Sequence, residues 1–209
     1  GESAANAAWT LGNRAARMEA AAPSMPGNIK RVGTGRVTDN TGRASDDFMQ
    51  QIDEALAGRT GFDVRVENSL ENSANGMLQA AIQQFVFAAD ADNEITARIH
   101  ELGEFGSIYN PNWERDVVMP IADYIARKAG FQGYAQLVQA YRQQYAAVEG
   151  SKTSRQALLE AVNDALGGLF TTEEGARDFV AWLTKDSGLT APEQKTVLQR
   201  LVEVFDRLI

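Results

Sequence analysis

Cysteine is absent from this sequence, and histidine occurs once, at His100. Without cysteine there is no disulfide, no thiolate metal ligand and no thiol nucleophile. A Ser/His/Asp triad would have to be built on His100. Lack of cysteine fits cytoplasm and cell exterior equally; with no signal peptide visible at the N-terminus, the reading adopts a cytoplasmic location. Positive charge is also scarce: 20 Lys and Arg face 28 Asp and Glu, for a net charge of −8. A surface of that sign repels phosphate backbones, so no nucleic-acid partner is expected. No apolar run approaches the roughly 20 residues of a membrane span, and no membrane partner is expected. The chain opens with Gly1 rather than Met, which suggests a piece of a longer parent chain whose other domains are its neighbours.

What is present is an ordinary globular composition, 44% apolar over 209 residues, enough for one sizeable domain. Residues 1–43 read as a peripheral alanine-rich helix, ended by Pro23 and Pro26, and a glycine-rich loop. Gly33-Thr34-Gly35 lacks the Gly-Lys-Ser/Thr ending of a phosphate loop. Ser45 is the expected N-cap of a helix carrying Phe48, Ile52, Ala55 and Leu56, with Gly58 as its stop. Phe62, Val64 and Val66 alternate with polar residues as in a half-buried strand. Two further strand-like runs, 77–81 and 82–88, precede a helix in which Ile95, Ile99, Leu102 and Phe105 form the apolar stripe, capped by Asp90 or Asp92. Beyond Gly130 only helices are expected, near 133–148, 152–166, 172–185 and 191–209. The fold class predicted is α+β: a small N-terminal sheet packed on the histidine helix, then a helical C-terminal half. Residues 44–170 form its core, and residues 171–209 form C-terminal helices packed on that core.

His100-Glu101-Leu102-Gly103-Glu104 spells H-E-x-x-E. On a helix, residues four apart share a face about 6 Å apart, so His100 and Glu104 can approach one metal ion, with Glu101 at the edge of that face. Two ligands hold a metal weakly, and a third is required. The helix around 157–170 supplies Glu160 and Asp164, again four apart and off its apolar face. Such a pair divides its labour well, with Glu160 on the metal and Asp164 accepting the second ring N–H of His100. Tyr109, just past the histidine helix, is a weaker candidate for an oxyanion donor.

These residues, in this order, resemble the glutamate-type zincin metallopeptidases, in which H-E-x-x-H on one helix is joined by a glutamate from a later helix, commonly within E-x-x-x-D. The resemblance covers residues 60–170. It is nearest to the zincin-like modules inside large multidomain proteins of bacterial mobile elements, where Asn-Gly and a strand precede the histidine helix, here Asn75-Gly76-Met77-Leu78-Gln79. It implies a zincin-like fold, a zinc cofactor held by His100, Glu104 and Glu160, water activation by Glu101 as general base, and hydrolysis of a peptide or protein substrate. It also implies an edge strand for an extended substrate, assigned here to Gln83, Phe85 and Phe87.

Glu104 departs from the second histidine of that motif. One His with two Glu is a harder, more negative donor set than two His with one Glu, which relaxes selectivity toward Mn²⁺ or another divalent ion and makes a bound water less acidic. The alternative is an inactive zincin-derived interaction module within a larger mobile-element protein.

Overall fold

The computed structural model describes residues 32–42, 47–146, 152–170 and 172–205. The expected N-terminal helix and the cap at Ser45 lie outside those residues. The described chain is α+β. Strands β1 (Val37–Asp39), β2 (Asp63–Glu67), β3 (Gly76–Gln79) and β4 (Gln84–Ala88) form one mixed sheet in the order β1-β2-β4-β3. β1 and β2 run parallel, as do β2 and β4, while β3 runs antiparallel to β4. Helix α1 (Asp47–Thr60) provides the crossover between β1 and β2, as a parallel pair requires.

The alternation in β2 buries Val64 and Val66 and turns Arg65 outward. β4 is different. Phe85, Val86, Phe87 and Ala88 are all buried, the mark of a strand enclosed on both faces rather than half-solvated. This corrects the assignment of Gln83, Phe85 and Phe87 to a substrate-binding edge: β4 lies between β2 and β3, and the edge strands among the described residues are β1 and β3. Phe85 packs on Phe62 and Phe105, with ring centroids 5.5 and 6.0 Å away. Gln83 is a junction instead. It takes a left-handed backbone conformation, and its side-chain oxygen accepts from the amides of Val32 and Gly33. In the Gly33-Thr34-Gly35 loop and just after it, the amides of Thr34 and Arg36 donate to the carboxylate of Asp63.

α1 continues through Gly58 to Thr60, and the turn comes at Gly61, whose φ of 75° is the glycine-favoured one. Ile52, Leu56 and Ala57 face the core, but Phe48 is exposed. Helix α2 (Glu94–Tyr109) is capped by Asn93, whose side-chain oxygen accepts from the amide of Thr96 at 3.0 Å, rather than by Asp90 or Asp92. It is covered on most sides, burying Ile99, Leu102 and Phe105. Gly106 lies inside the helix, under the ring of Trp113. A π-helical turn (Glu114–Val118) leads into α3 (Met119–Lys128), followed by α4 (Tyr134–Ala146), α5 (Ser154–Phe170), α6 (Glu173–Lys185) and α7 (Ala191–Phe205).

α5 is the partner of α2. Its residues Val162 and Leu166 are fully buried in the same apolar cluster as Phe85 and Leu102, and burial of each such side chain contributes about 1.5 to 3 kcal/mol. Phe179 and Leu183 from α6, and Val197 and Leu201 from α7, belong to that cluster too. Among the described residues no helix is long and apolar enough to cross a membrane.

Candidate active site

The distance between α2 and α5 is set by small residues. A Cβ at Gly103 would lie 2.4 Å from Oδ1 of Asn163, and one at Gly167 would lie 2.4 Å from Cγ2 of Thr96. Gly103 thus admits a side chain of α5, that of Asn163. Contacts of Thr96 with Gly167 and of Gly103 with Asn163 mean that the two helices run in opposite directions. His100, lying between these contacts, is carried against the acidic face of α5.

The imidazole is held at both nitrogens. Nδ1 lies 3.0 Å from Oδ1 of Asp164, and Nε2 lies 3.4 Å from Oε2 of Glu160. Tyr141 of α4 donates to the other Asp164 oxygen at 3.4 Å. Lys152, just ahead of α5, donates to Oε1 of Glu160 at 2.6 Å. Burial alone would lower the pKa of His100. The hydrogen bonds to Asp164 and Glu160, with the charge of Glu101, outweigh it and raise the ring from 6.5 to about 10. His100 is therefore an imidazolium donating from both nitrogens at neutral pH. Burial would raise Glu160, yet bonds from His100 and Lys152 hold it down at about 2. Tyr141 is pushed up to about 12, by burial first and then by Asp164.

Glu101 lies on the other side of His100, beneath the edge strand. It is only 6% exposed, and its Oε2 has no hydrogen-bond partner. A Cβ at Gly76 of β3 would lie 3.0 Å from Glu101 Cγ and 3.2 Å from its Oε1, so a residue without a side chain is needed where the strand crosses the acid. Burial pushes Glu101 up to about 8, opposed by the charge of His100 and reinforced by Glu104. Burial raises Glu104 too, and a hydrogen bond with Glu101 opposes that rise.

These groups line one cleft of about 550 Å³, walled by Asn75, Gly76, Met77 and Leu78 of the edge strand and its approach, by His100, Glu101 and Glu104 of α2, and by Tyr145, Lys152, Glu160 and Asp164. Of the sequence candidates, His100, Glu101, Glu104, Glu160 and Asp164 are together here. Phe85 and Phe87 are interior, and Tyr109 packs edge-on against Phe62 and tilted against Phe105, with centroids 5.6 and 4.7 Å away, among the core aromatics and not at the cleft. Sequence reasoning missed Lys152, Tyr141 and Tyr145. A lysine eight residues ahead of an acid has no helical reason to meet it; Lys152 does so because it precedes the helix and reaches along it.

A divalent ion is tested against these donors. In a tetrahedral zinc site with bonds of about 2.0 to 2.2 Å, neighbouring donor atoms stand roughly 3.3 to 3.6 Å apart. The 3.4 Å between Nε2 of His100 and Oε2 of Glu160 matches that edge. The unpartnered oxygen of Glu101 and the surplus of acid over base suit a cation as well. Glu104 is engaged with Glu101, and among the described residues no three such groups converge at metal-binding distance. The donor types suit a divalent ion, but only His100 Nε2 and Glu160 Oε2 stand at such a spacing, and Glu104 does not complete a set of three with them.

Comparison of the chain with protein families, with curated proteins and with solved structures gives no match.

Proposed function

We propose that this protein is a metal-dependent peptidase of the glutamate-type zincin kind. The observation that carries the reading is the two-sided clamp on His100, with Asp164 at Nδ1 and Glu160 at Nε2, a zinc-site edge apart. A histidine that binds metal through one nitrogen needs an acceptor on the other to hold its ring and tautomer, and Asp164 supplies it. His100, Glu104 and Glu160 would hold the ion, zinc or another divalent metal, which when bound supplies Lewis acidity and a more acidic water.

The protein's own part follows from the cleft. Burial holds the proton of Glu101 up to about pH 8; a bound cation beside it would favour the carboxylate, and in that form Glu101 would accept a proton from water and return it to the leaving amine. Of the two edge strands among the described residues, β3 is the one at the cleft, so an extended peptide adds to Gly76–Gln79 as a further strand over Glu101. This transfers the substrate-binding role from β4 to β3. Asp164 orients His100, and Tyr141 orients Asp164.

The test is metal analysis of protein purified without chelator, together with hydrolysis of a peptide library. One equivalent of zinc or manganese, lost in His100→Ala and Glu160→Ala, is expected. Glu101→Gln is expected to keep the metal and lose about 10²- to 10⁴-fold in turnover. No metal in the wild type, with none recovered in Glu104→His, would overturn the reading.

One observation favours a second reading, a metal-free zincin-derived module that binds partners within a larger mobile-element protein: Glu104 bonds to Glu101 and not to a shared point with His100 and Glu160. A gain of metal in Glu104→His, with none in the wild type, would select this second reading.

A further inference from the structure

The cleft already contains a cation that belongs to the chain. Lys152 donates to Glu160 Oε1 at 2.6 Å, with its ammonium 3.9 Å from the centroid of the Tyr145 ring. Its side chain is 18% exposed. The segment bearing it is fastened to α4, because Arg142 Nε donates to the Lys152 carbonyl at 3.1 Å. The ammonium therefore has a built seat, an acidic oxygen on one side and an aromatic face on the other. An acidic cluster alone would say little about a ligand. Here the same cleft holds Glu101, more than nine-tenths buried, with an unpartnered oxygen. In that cleft Glu101, Glu104, Glu160 and Asp164 outnumber the two bases, His100 and Lys152.

We propose that Lys152 is a tethered cation that competes with a divalent ion for Glu160, so that metal enters only as the lysine ammonium withdraws. The inference rests on the reading of Glu160 as a metal ligand. With Lys152 seated, Glu160 spends one oxygen on the ammonium and the other on the imidazolium. A metal at Nε2 of His100 and Oε2 of Glu160 then meets a fixed positive charge on the same carboxylate. Like charges at that range, in a half-desolvated cleft, oppose each other by far more than thermal energy. When Lys152 is withdrawn and the Nε2 proton of His100 passes to solvent, both Glu160 oxygens would be open to the ion and the repulsion from the two cations would be gone. The chain thereby fills its acidic site without metal and weakens adventitious uptake of divalent ions.

The experiment is titration of the full chain with Zn²⁺ and with Mn²⁺ by calorimetry, and in parallel by the metal-induced rise in thermal midpoint, for the wild type, Lys152→Met and Lys152→Arg. Lys152→Met is expected to bind at least about tenfold more tightly than the wild type and to gain more in thermal midpoint on metal addition. Lys152→Arg, which keeps the charge, is expected to stay within a few-fold of the wild type. Lys152→Met binding equally or more weakly, while the wild type binds metal, would overturn the competition and leave the metal site standing. Binding by Lys152→Met with none by the wild type would support it in its strongest form. Absence of binding in all three proteins would overturn the metal site and this inference with it.

Discussion

Two charged clusters stand two residues apart on α2 and are built on opposite plans. At Arg98 the guanidinium is 1% exposed and meets the carboxylate of Asp53 through two hydrogen bonds, 2.7 and 2.9 Å long, with its plane over Phe87 and a further bond to the Glu94 carbonyl. The buried charges of Arg98 and Asp53 balance there, with the more exposed Glu94 carboxylate 3.7 Å from the guanidinium. At His100 four acids surround one imidazole and one ammonium, an acid oxygen has no partner, and the cleft opens to solvent. The first cluster joins α2 to α1. The second has more acids than bases, and His100, Glu101 and Glu160 titrate far from their ordinary ranges. A balanced buried pair is a structural tie, whereas an unbalanced one beside a cleft is where chemistry is to be sought.

The comparison breaks most sharply at Arg98. Arg98→Ala leaves Asp53 buried and unpaired, and a loss of about 3 to 5 kcal/mol is expected in urea unfolding. Replacing both partners with apolar residues, Arg98→Met with Asp53→Leu, is expected to cost far less than either single change. If the double replacement cost as much as the single one, the pair would be more than a structural tie.

At His100 the corresponding measurement is stability against pH. His100 titrates above its unfolded value near 6.5, so its ion pairs contribute fully below that pH and are lost as pH rises through about 10. Glu160 titrates below its unfolded value near 4.5, so its contribution is complete above that pH and is lost as pH falls through about 2. Glu101 acts in the other sense: the fold holds its proton, and the penalty grows from pH 4.5 toward about 8. Wild-type stability is therefore expected to fall between pH 4.5 and 6.5, a window in which neither His100 nor Glu160 changes much. Glu101→Gln is expected to flatten that slope, and equal slopes in the two proteins would remove Glu101 as its cause.

A smaller effect tests the seam that brings the second cluster together. Gly103→Ala drives a methyl group into Asn163, at a cost of about 1 to 3 kcal/mol. Because it parts α2 from α5 near His100, it is expected to lower the His100 pKa as read by NMR titration. Unchanged titration with reduced stability would place the strain elsewhere.

Much of this was legible in the chain itself. The apolar stripe of α2, the alternation of β2, the late helices and the acid pair at Glu160 and Asp164 all follow from spacing, because a helix or strand repeats at a period that the sequence carries. The edge was misread because Phe85-Val86-Phe87 is the most strand-like triplet, and high strand propensity reports burial, not edge position. The edge strand at the cleft, Gly76–Gln79, is short and poor in β-branched residues. The caps at Asp90 or Asp92 and the stop at Gly58 each missed by a few residues, since several polar residues or glycines stood in range and tertiary packing chose among them.

By itself the sequence determined which side chains share a face: His100 with Glu104, and Glu160 with Asp164, four residues apart on two helices. Only the tertiary structure decided that those faces meet, since the meeting depends on Gly103 and Gly167 letting α2 and α5 approach across more than fifty residues of chain. It alone seated Lys152 on Glu160, turned Glu104 toward Glu101 and laid β3 over the buried acid. Local periodicity is written into neighbours along the chain; the charge balance of a cleft belongs to groups that only packing brings within a few ångströms of one another.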